Sequence, residues 1–196
     1  MIVAPKPQSI DPATPFTLDG RPTGDTVAGF WAWAYSGLID NKNRGVLAEF
    51  IVAKALGIET PAHDPWGTHD LTSTAGTAVE VKSAGHLQAW NQRQLTRPVW
   101  QSLLSRQSET TAEGGWSLAE GRTAKGDIFV LCLFTATDHA DANPLNLDQW
   151  AFWLVPGSEI TTGTLALPTV EKKYRRLTFT EMRPAFRELE RQLRGV

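Results

Sequence analysis

The chain has 196 residues, enough for one domain with a hydrophobic core and too few for two domains of average size. Hydrophobic residues make up 41% of it and charged residues 20%, which is typical of a globular protein and excludes a disordered polyelectrolyte. The formal net charge of −2 excludes nucleic-acid binding through an overall positive charge, so any phosphate binding must use local basic patches.

The chain contains one cysteine, Cys132, which excludes an internal disulfide and a zinc site built from several cysteines. Its neighbours in the run 128–134 are apolar, so we expect a buried, unreactive thiol. No apolar run approaches the roughly 20 residues of a membrane helix, and no secretory signal is visible. We therefore expect a soluble intracellular protein.

Residues 1–22 hold five of the twelve prolines, which predicts an extended arm followed by a single domain over 23–196. Asp25 or Thr26 can cap a first helix over 27–38.

A second helix is predicted over 44–56, capped by Asn41 or Asn43 and ended by Gly57. On this helix Glu49 shares one face, otherwise apolar, with five other residues: Gly45, Val46, Val52, Ala53 and Leu56. A charge on such a face is costly unless it is paired or bound to a metal.

Two short strands over 66–72 and 77–84, separated by Ala75 and Gly76, read as a hairpin. The segment 99–104 fits either a strand or a helix, and 105–125 is polar and predicts a long loop.

The apolar run 127–134 predicts a central strand covered on both faces, and 149–155 predicts a further strand. A last helix, capped by Thr180, repeats apolar residues at helical spacing. We expect four of the tryptophans in the core: Trp31, Trp33, Trp150 and Trp153. This order of elements predicts an α/β sandwich with a central mixed sheet flanked by helices.

The strand 77–84 carries an acid and a base on one face. Strand alternation turns Val79 and Val81 one way and Glu80 and Lys82 the other, with the latter pair roughly 7 Å apart along the strand. The hairpin brings Asp70 close to Glu80. The Glu80 and Lys82 pair is either a surface ion pair, worth at most about 1 kcal/mol, or part of a metal site.

A divalent cation would relieve the repulsion between two close carboxylates. We therefore predict a Mg²⁺ site formed by Asp70, Glu80 and the Val81 carbonyl, with Mn²⁺ as a possible substitute and Glu49 reaching the cation directly or through water. The alternative for Glu49 is an ion pair with Arg44 or another base at the edge of the packing. Two other acid–base triplets, at 171–173 and 40–42, lack the strand and the upstream hairpin aspartate.

The arrangement Glu49, Asp70 and Glu80-Val81-Lys82 resembles the PD-(D/E)xK nuclease superfamily, which includes restriction endonucleases and Holliday-junction resolvases. The similarity covers roughly residues 43–100 and extends to a group of uncharacterised bacterial proteins of this type. The proline that usually precedes the motif aspartate is replaced by His69.

The resemblance implies a restriction-endonuclease-like fold and a cytoplasmic bacterial enzyme that hydrolyses DNA phosphodiester bonds with Mg²⁺. It implies that Asp70 and Glu80 hold the metal, that Lys82 orients or deprotonates the attacking water, and that Glu49 completes the outer shell. Many relatives act as homodimers, although no dimer interface is legible in this sequence.

Polar residues that follow the motif strand are candidates for nucleic-acid contacts: Ser83, His86, Gln88, Gln92 and Arg93. We interpret His63, His69 and His139 as structural or solvated. A basic run at 172–176, with Arg93, Arg97, Arg106 and Arg122, forms either a phosphate-tracking surface or a solvated face. Trp116 is a candidate for stacking on a base.

Three functions remain open at this point. The first is a DNA endonuclease of restriction or defence, and the second is a structure-selective nuclease of repair or recombination. The third is an inactive nuclease-like subunit that only binds nucleic acid.

Overall fold

The computed structural model describes residues 5, 7–59, 62–106, 108–110, 116–118 and 121–195 of the chain, with the backbone alone for 108–110 and 116–118. Its strands are β1 Pro15–Leu18, β2 Arg21–Thr26, β3 Leu71–Thr72, β4 Ala78–Gly85, β5 Val99–Gln101, β6 Leu104–Ser105, β7 Ser108–Thr110, β8 Trp116–Leu118, β9 Thr123–Ala124, β10 Ile128–Phe134, β11 Trp150–Pro156 and β12 Thr164–Ala166. Its α-helices are α1 Val27–Tyr35, α2 Asn41–Leu56, α3 Leu167–Lys173 and α4 Phe179–Arg194.

The central sheet has four strands in the order β11-β10-β4-β3. Strand β10 runs antiparallel to β11 and parallel to β4, and β4 runs antiparallel to β3. The α/β class with a mixed sheet is therefore confirmed. Every residue of β10 is buried, as its continuous apolar sequence predicts for a central strand.

Two hydrophobic clusters cover the two faces of this sheet. On one face, Val79 and Val81 of β4 belong to a cluster with buried residues of α2 and α4. On the other face, Trp100 of β5 and Val170 of α3 pack with alternate residues of β10 and β11. Because side chains alternate along β4, Glu80 and Lys82 point toward this second face.

The β3–β4 hairpin forms where it was predicted, but its first strand is short. The Ser73 hydroxyl accepts hydrogen bonds from the amides of Ala75 and Thr77, and Gly76 takes the left-handed conformation at φ +85°. The predicted strand over 66–72 is reduced to β3. The Asp64 side chain accepts a hydrogen bond from the backbone amide of Trp66. This amide is therefore not available for pairing in a sheet.

Helix boundaries differ from the prediction by a few residues because other side chains act as caps. Asp40 accepts from the Lys42 amide, so α2 begins three residues before position 44. The stop at Gly57 is confirmed by its φ of +72°. Thr178 and Glu181 form a capping box, so α4 begins before Thr180.

The N-terminal segment forms a hairpin where an extended arm was expected. Strands β1 and β2 pair antiparallel, and the predicted boundary at residue 22 falls inside β2. No residue of α1 is buried: Trp31 is 37% exposed and Trp33 84%, so placing both in the core was wrong. The same prediction is confirmed for Trp150 and Trp153.

The middle of the chain contains short paired strands where the sequence left the structure open. Residues 99–104 contribute β5 and the start of β6, which resolves that segment as strand. Within the predicted loop 105–125, β6 pairs with β9 and β7 pairs with β8. Among the described residues, no helix is both long and apolar enough to cross a bilayer.

Candidate functional site

The candidate site lies at the open outer edge of β4. Strand β3 pairs only with Ala78 and Val79, so the edge of β4 beyond Val79 has no strand partner among the described residues. There the Val81 amide donates to Asp70 Oδ2 at 2.7 Å. The N–H and C=O of one strand residue point to the same side, so the Val81 carbonyl faces the edge that Asp70 covers.

Glu80 and Lys82 lie on one face of β4 and contact each other directly. Lys82 Nζ donates to Glu80 Oε1 at 2.6 Å. Glu80 is only 1% exposed, whereas the Lys82 side chain keeps 24% of its surface in solvent. Glu80 Oε2 is buried with no hydrogen-bond partner among the described residues. A buried carboxylate oxygen without a partner is costly, so a further ligand on this atom would stabilise it.

The charge of Glu80 is set by opposing influences. Burial raises the pKa of Glu80, the nearby charge of Asp70 raises it further, and Lys82 lowers it. Lys125 also lowers this pKa, and no motif in the sequence indicates that it does. Lys125 lies just before β10, whose parallel register aligns Ile128 with Val79, so only the sheet topology brings it near Glu80.

Gly126 is part of the wall around Glu80. A β-carbon at this position would lie 3.0 Å from the Glu80 amide nitrogen and 3.2 Å from the Glu80 β-carbon. Glycine is needed here because the segment that enters β10 passes directly against β4.

Glu49 lies on α2 and forms the other side of the site. Its pKa is raised to about 8: burial is the largest cause, the charges of Asp70 and Glu80 also raise it, and Lys82 lowers it. Its Oε2 lies 3.0 Å from His63 Nε2. The alternative pairing with Arg44 is not formed, but another base at the edge, His63, does contact this carboxyl group. No regular spacing in the sequence links residues 49 and 63.

The donor set fits a magnesium ion in part. Among the described residues, no group of three or more His, Cys, Asp or Glu side chains is arranged to hold a metal. The sheet explains why: Glu80 lies on one face of β4, α2 carries Glu49 on the other, and Asp70 lies at the edge between them. Mg²⁺ needs only one or two protein carboxylates and completes its shell with water, a carbonyl or phosphate. Asp70, the free Glu80 oxygen and the Val81 carbonyl are the donors here that could make up that smaller set.

Some polar side chains of the loop after β4 are used to hold the loop together. Gln92 is fully used inside the loop: its Oε1 accepts from the Gln88 amide, and its Nε2 donates to the His86 carbonyl and to Thr96 Oγ1. His86 Nδ1 donates to the Thr96 carbonyl at 3.2 Å. Gln92 and His86 therefore shape the loop; no polar atom of the Gln92 side chain is left for nucleic acid, whereas His86 Nε2 has no partner among the described residues and the prediction for His86 stays a prediction.

Two other predicted contact residues, Ser83 and Gln88, line a groove beside the site. The groove has a volume of about 470 Å³ and also includes Lys82, Trp90 and Arg97. Arg93 is exposed but does not line it.

The predicted basic surface is partly neutralised. Lys173 Nζ lies 2.6 Å from Glu159 Oε2, and Arg175 is paired with Glu181. These ion pairs favour the solvated-face reading of the run 172–176 over a phosphate-tracking surface. The Trp116 side chain lies outside the described residues.

His69 is structural, as expected. Its Nε2 lies 2.7 Å from Thr72 Oγ1, and its Nδ1 lies 3.0 Å from Thr68 Oγ1. Both ring nitrogens are therefore used within the turn that leads into β3.

No protein-family model, curated protein or solved structure matches this chain. The case for a function therefore rests on the chain's own residues and their geometry.

Proposed function

We propose that this protein is a Mg²⁺-dependent nuclease that hydrolyses phosphodiester bonds of DNA, with Mn²⁺ able to replace Mg²⁺. The observation that carries the proposal is the buried Glu80, with one oxygen held by Lys82 and the other without a partner, beside Asp70 on the open edge of β4. A surface ion pair would not explain why a carboxylate is 1% exposed with an orphaned oxygen.

Asp70, Glu80 and the Val81 carbonyl would hold the metal, and Glu49 would reach it through water. When bound, the metal would polarise the phosphate and lower the pKa of a bound water. Lys82 would keep its ammonium at the reacting phosphate, where it orients the water and stabilises developing negative charge. The Glu80 contact would hold that ammonium in place while its exposed part faces the substrate.

A cleavage panel tests this proposal: plasmid, linear duplex, single strand, branched DNA and RNA, each with Mg²⁺, Mn²⁺ or EDTA. Asn in place of Asp70 can still accept from the Val81 amide, and Gln in place of Lys82 can still donate to Glu80. Asp70→Asn and Lys82→Gln should therefore fold, yet lose about 100-fold or more of the cleavage rate. Asp148→Asn and Lys172→Gln, at exposed positions, are the matched controls.

The substrate that is cut separates the remaining alternatives. Preferential cleavage of branched DNA would favour a repair or recombination role over a restriction or defence role. If the wild type binds nucleic acid but cuts no member of the panel with either metal, the nuclease proposal is wrong and an inactive binding subunit is the better description.

A further inference from the structure

The groove beside Lys82 has an unusual lining of charge. Its lining contains three cationic side chains, Arg44, Lys82 and Arg97, and no acidic one, although Lys82 is paired with Glu80 behind the lining. Arg97 is exposed and has no ion pair or hydrogen bond to any part of the chain that the structure describes. A concave surface lined by cations and no acids attracts anions. Asn41, the first residue of α2, adds the positive end of a helix dipole at the rim.

Two residues that line this groove each have one buried polar atom without a partner among the described residues: Gln88 Oε1 and Arg44 Nε. Gln88 is 6% exposed and Arg44 3%. The rest of each group is well used, since Arg44 Nη1 donates to the Ile39 and Leu87 carbonyls and Gln88 Nε2 donates to Thr96 Oγ1. Buried polar groups are nearly always satisfied, so an unpaired acceptor and an unpaired donor on two lining residues favour a polar occupant of the groove over an apolar one.

An aromatic ring completes the groove. Trp90 lies at its rim and is 57% exposed, with no ring partner in the described part of the chain. An exposed indole beside cations is a stacking surface for a nucleobase. The volume of about 470 Å³ falls within the range of small-ligand pockets, which is suited to one nucleotide rather than to a paired duplex.

We propose that this groove receives one unpaired nucleotide of the substrate strand, with its base on Trp90 and its phosphate at Arg97. This inference rests on the proposed nuclease function and adds a substrate class to it. Because Lys82 belongs to both the groove and the candidate site, a nucleotide held there places an adjoining phosphodiester at Asp70 and Glu80. The enzyme would then require a single-stranded or locally unpaired strand at the point of cleavage.

Binding measured without metal tests this inference apart from catalysis. The probes are one fluorescein-labelled oligonucleotide as single-stranded DNA, the same strand in a duplex, and its RNA counterpart, in EDTA. We expect the wild type to bind the single strands more tightly than the duplex. The Trp90→Ala substitution removes the ring on which one base stacks. It should weaken single-strand binding about five-fold or more and change duplex binding less than two-fold. The RNA arm shows whether the groove discriminates the sugar.

The controls separate a local effect from a folding defect. Trp90→Phe keeps a ring and should recover most of the affinity, and Trp33→Ala removes an exposed indole on α1, away from the groove. Equal affinities for Trp90→Ala and the wild type, or an equal loss for single strand and duplex, would overturn the inference. If the wild type and Trp90→Ala cleave at the same rate, the nuclease proposal stands and the groove inference is wrong. If binding depends on Trp90 but no substrate is cleaved, the groove binds a nucleotide and the nuclease proposal is wrong.

Discussion

Replacing Glu49 with glutamine removes a titrating carboxyl group from the inner side of α2 without changing the size of the side chain. The Glu49 side chain is 18% exposed, and burial is the largest cause of its raised pKa, about 8 against an ordinary 4.5. Glutamine keeps an oxygen that can accept from His63. The substitution therefore isolates the cost of ionising this position in the absence of metal.

The sign of the pH effect follows from proton counting. Below pH 4.5 the carboxyl group is protonated in both the folded and the unfolded chain. Between pH 4.5 and about 8 it is protonated only in the folded chain, so the free energy of unfolding falls as the pH rises, by about 1.4 kcal/mol per pH unit. Across the whole window the loss is at most about 5 kcal/mol, and water at the exposed edge of the side chain reduces it.

Urea unfolding in EDTA between pH 5 and pH 8 measures this difference. The wild type and Glu49→Gln should be about equally stable near pH 5, and the variant should become the more stable of the two toward pH 8. Glu181→Gln is the matched control, because the pKa of Glu181 is lowered and its titration lies below this window. Parallel curves for the wild type and Glu49→Gln would refute the reasoning.

Four further predictions follow from the same geometry. Because an ionised Glu49 attracts the cation more strongly than a protonated one, millimolar Mg²⁺ should raise the melting temperature, measured by thermal denaturation, more at pH 8 than at pH 6. Lys82→Ala leaves Glu80 buried without its cation and should lower the unfolding free energy by about 2 kcal/mol in urea, with partial recovery on adding Glu80→Gln. Gly157→Ala puts a β-carbon 2.0 Å from the Gly126 carbonyl oxygen and should cost about 3 kcal/mol or more, whereas Gly163→Ala, in open space, should cost almost nothing. Burial raises the pKa of the Cys132 thiol well above its ordinary value, so a thiol reagent should modify it only after unfolding, and rapid labelling of the native protein would contradict this.

The parts of the fold that follow from local patterns were predictable. Alternation along β4 and the turn residues Ala75 and Gly76 define the hairpin, and the unbroken apolar run of β10 identifies the central strand. The exposure of Trp31 and Trp33 was not predictable, because aromatic residues at helical spacing look the same on a buried helix and on an exposed one.

The candidate site divides in the same way. The contact between Glu80 and Lys82 follows from the two-residue period of a strand, and the closeness of Asp70 follows from the register of the hairpin. The approach of His63 to Glu49 depends on an irregular segment, and the approach of Lys125 to Glu80 depends on a parallel pairing between strands far apart in the chain. No local pattern encodes either distance.

The open edge of β4 bears on how this protein avoids aggregation. An uncovered strand edge offers free amides and carbonyls to which another chain can add a strand. Here the Asp70 carboxylate accepts a hydrogen bond from the Val81 amide and places a charge where an incoming strand would pair. The aspartate proposed to hold a metal thus also prevents another strand from pairing with this edge. Asp70→Ala should therefore self-associate on warming, whereas Asp70→Asn should not.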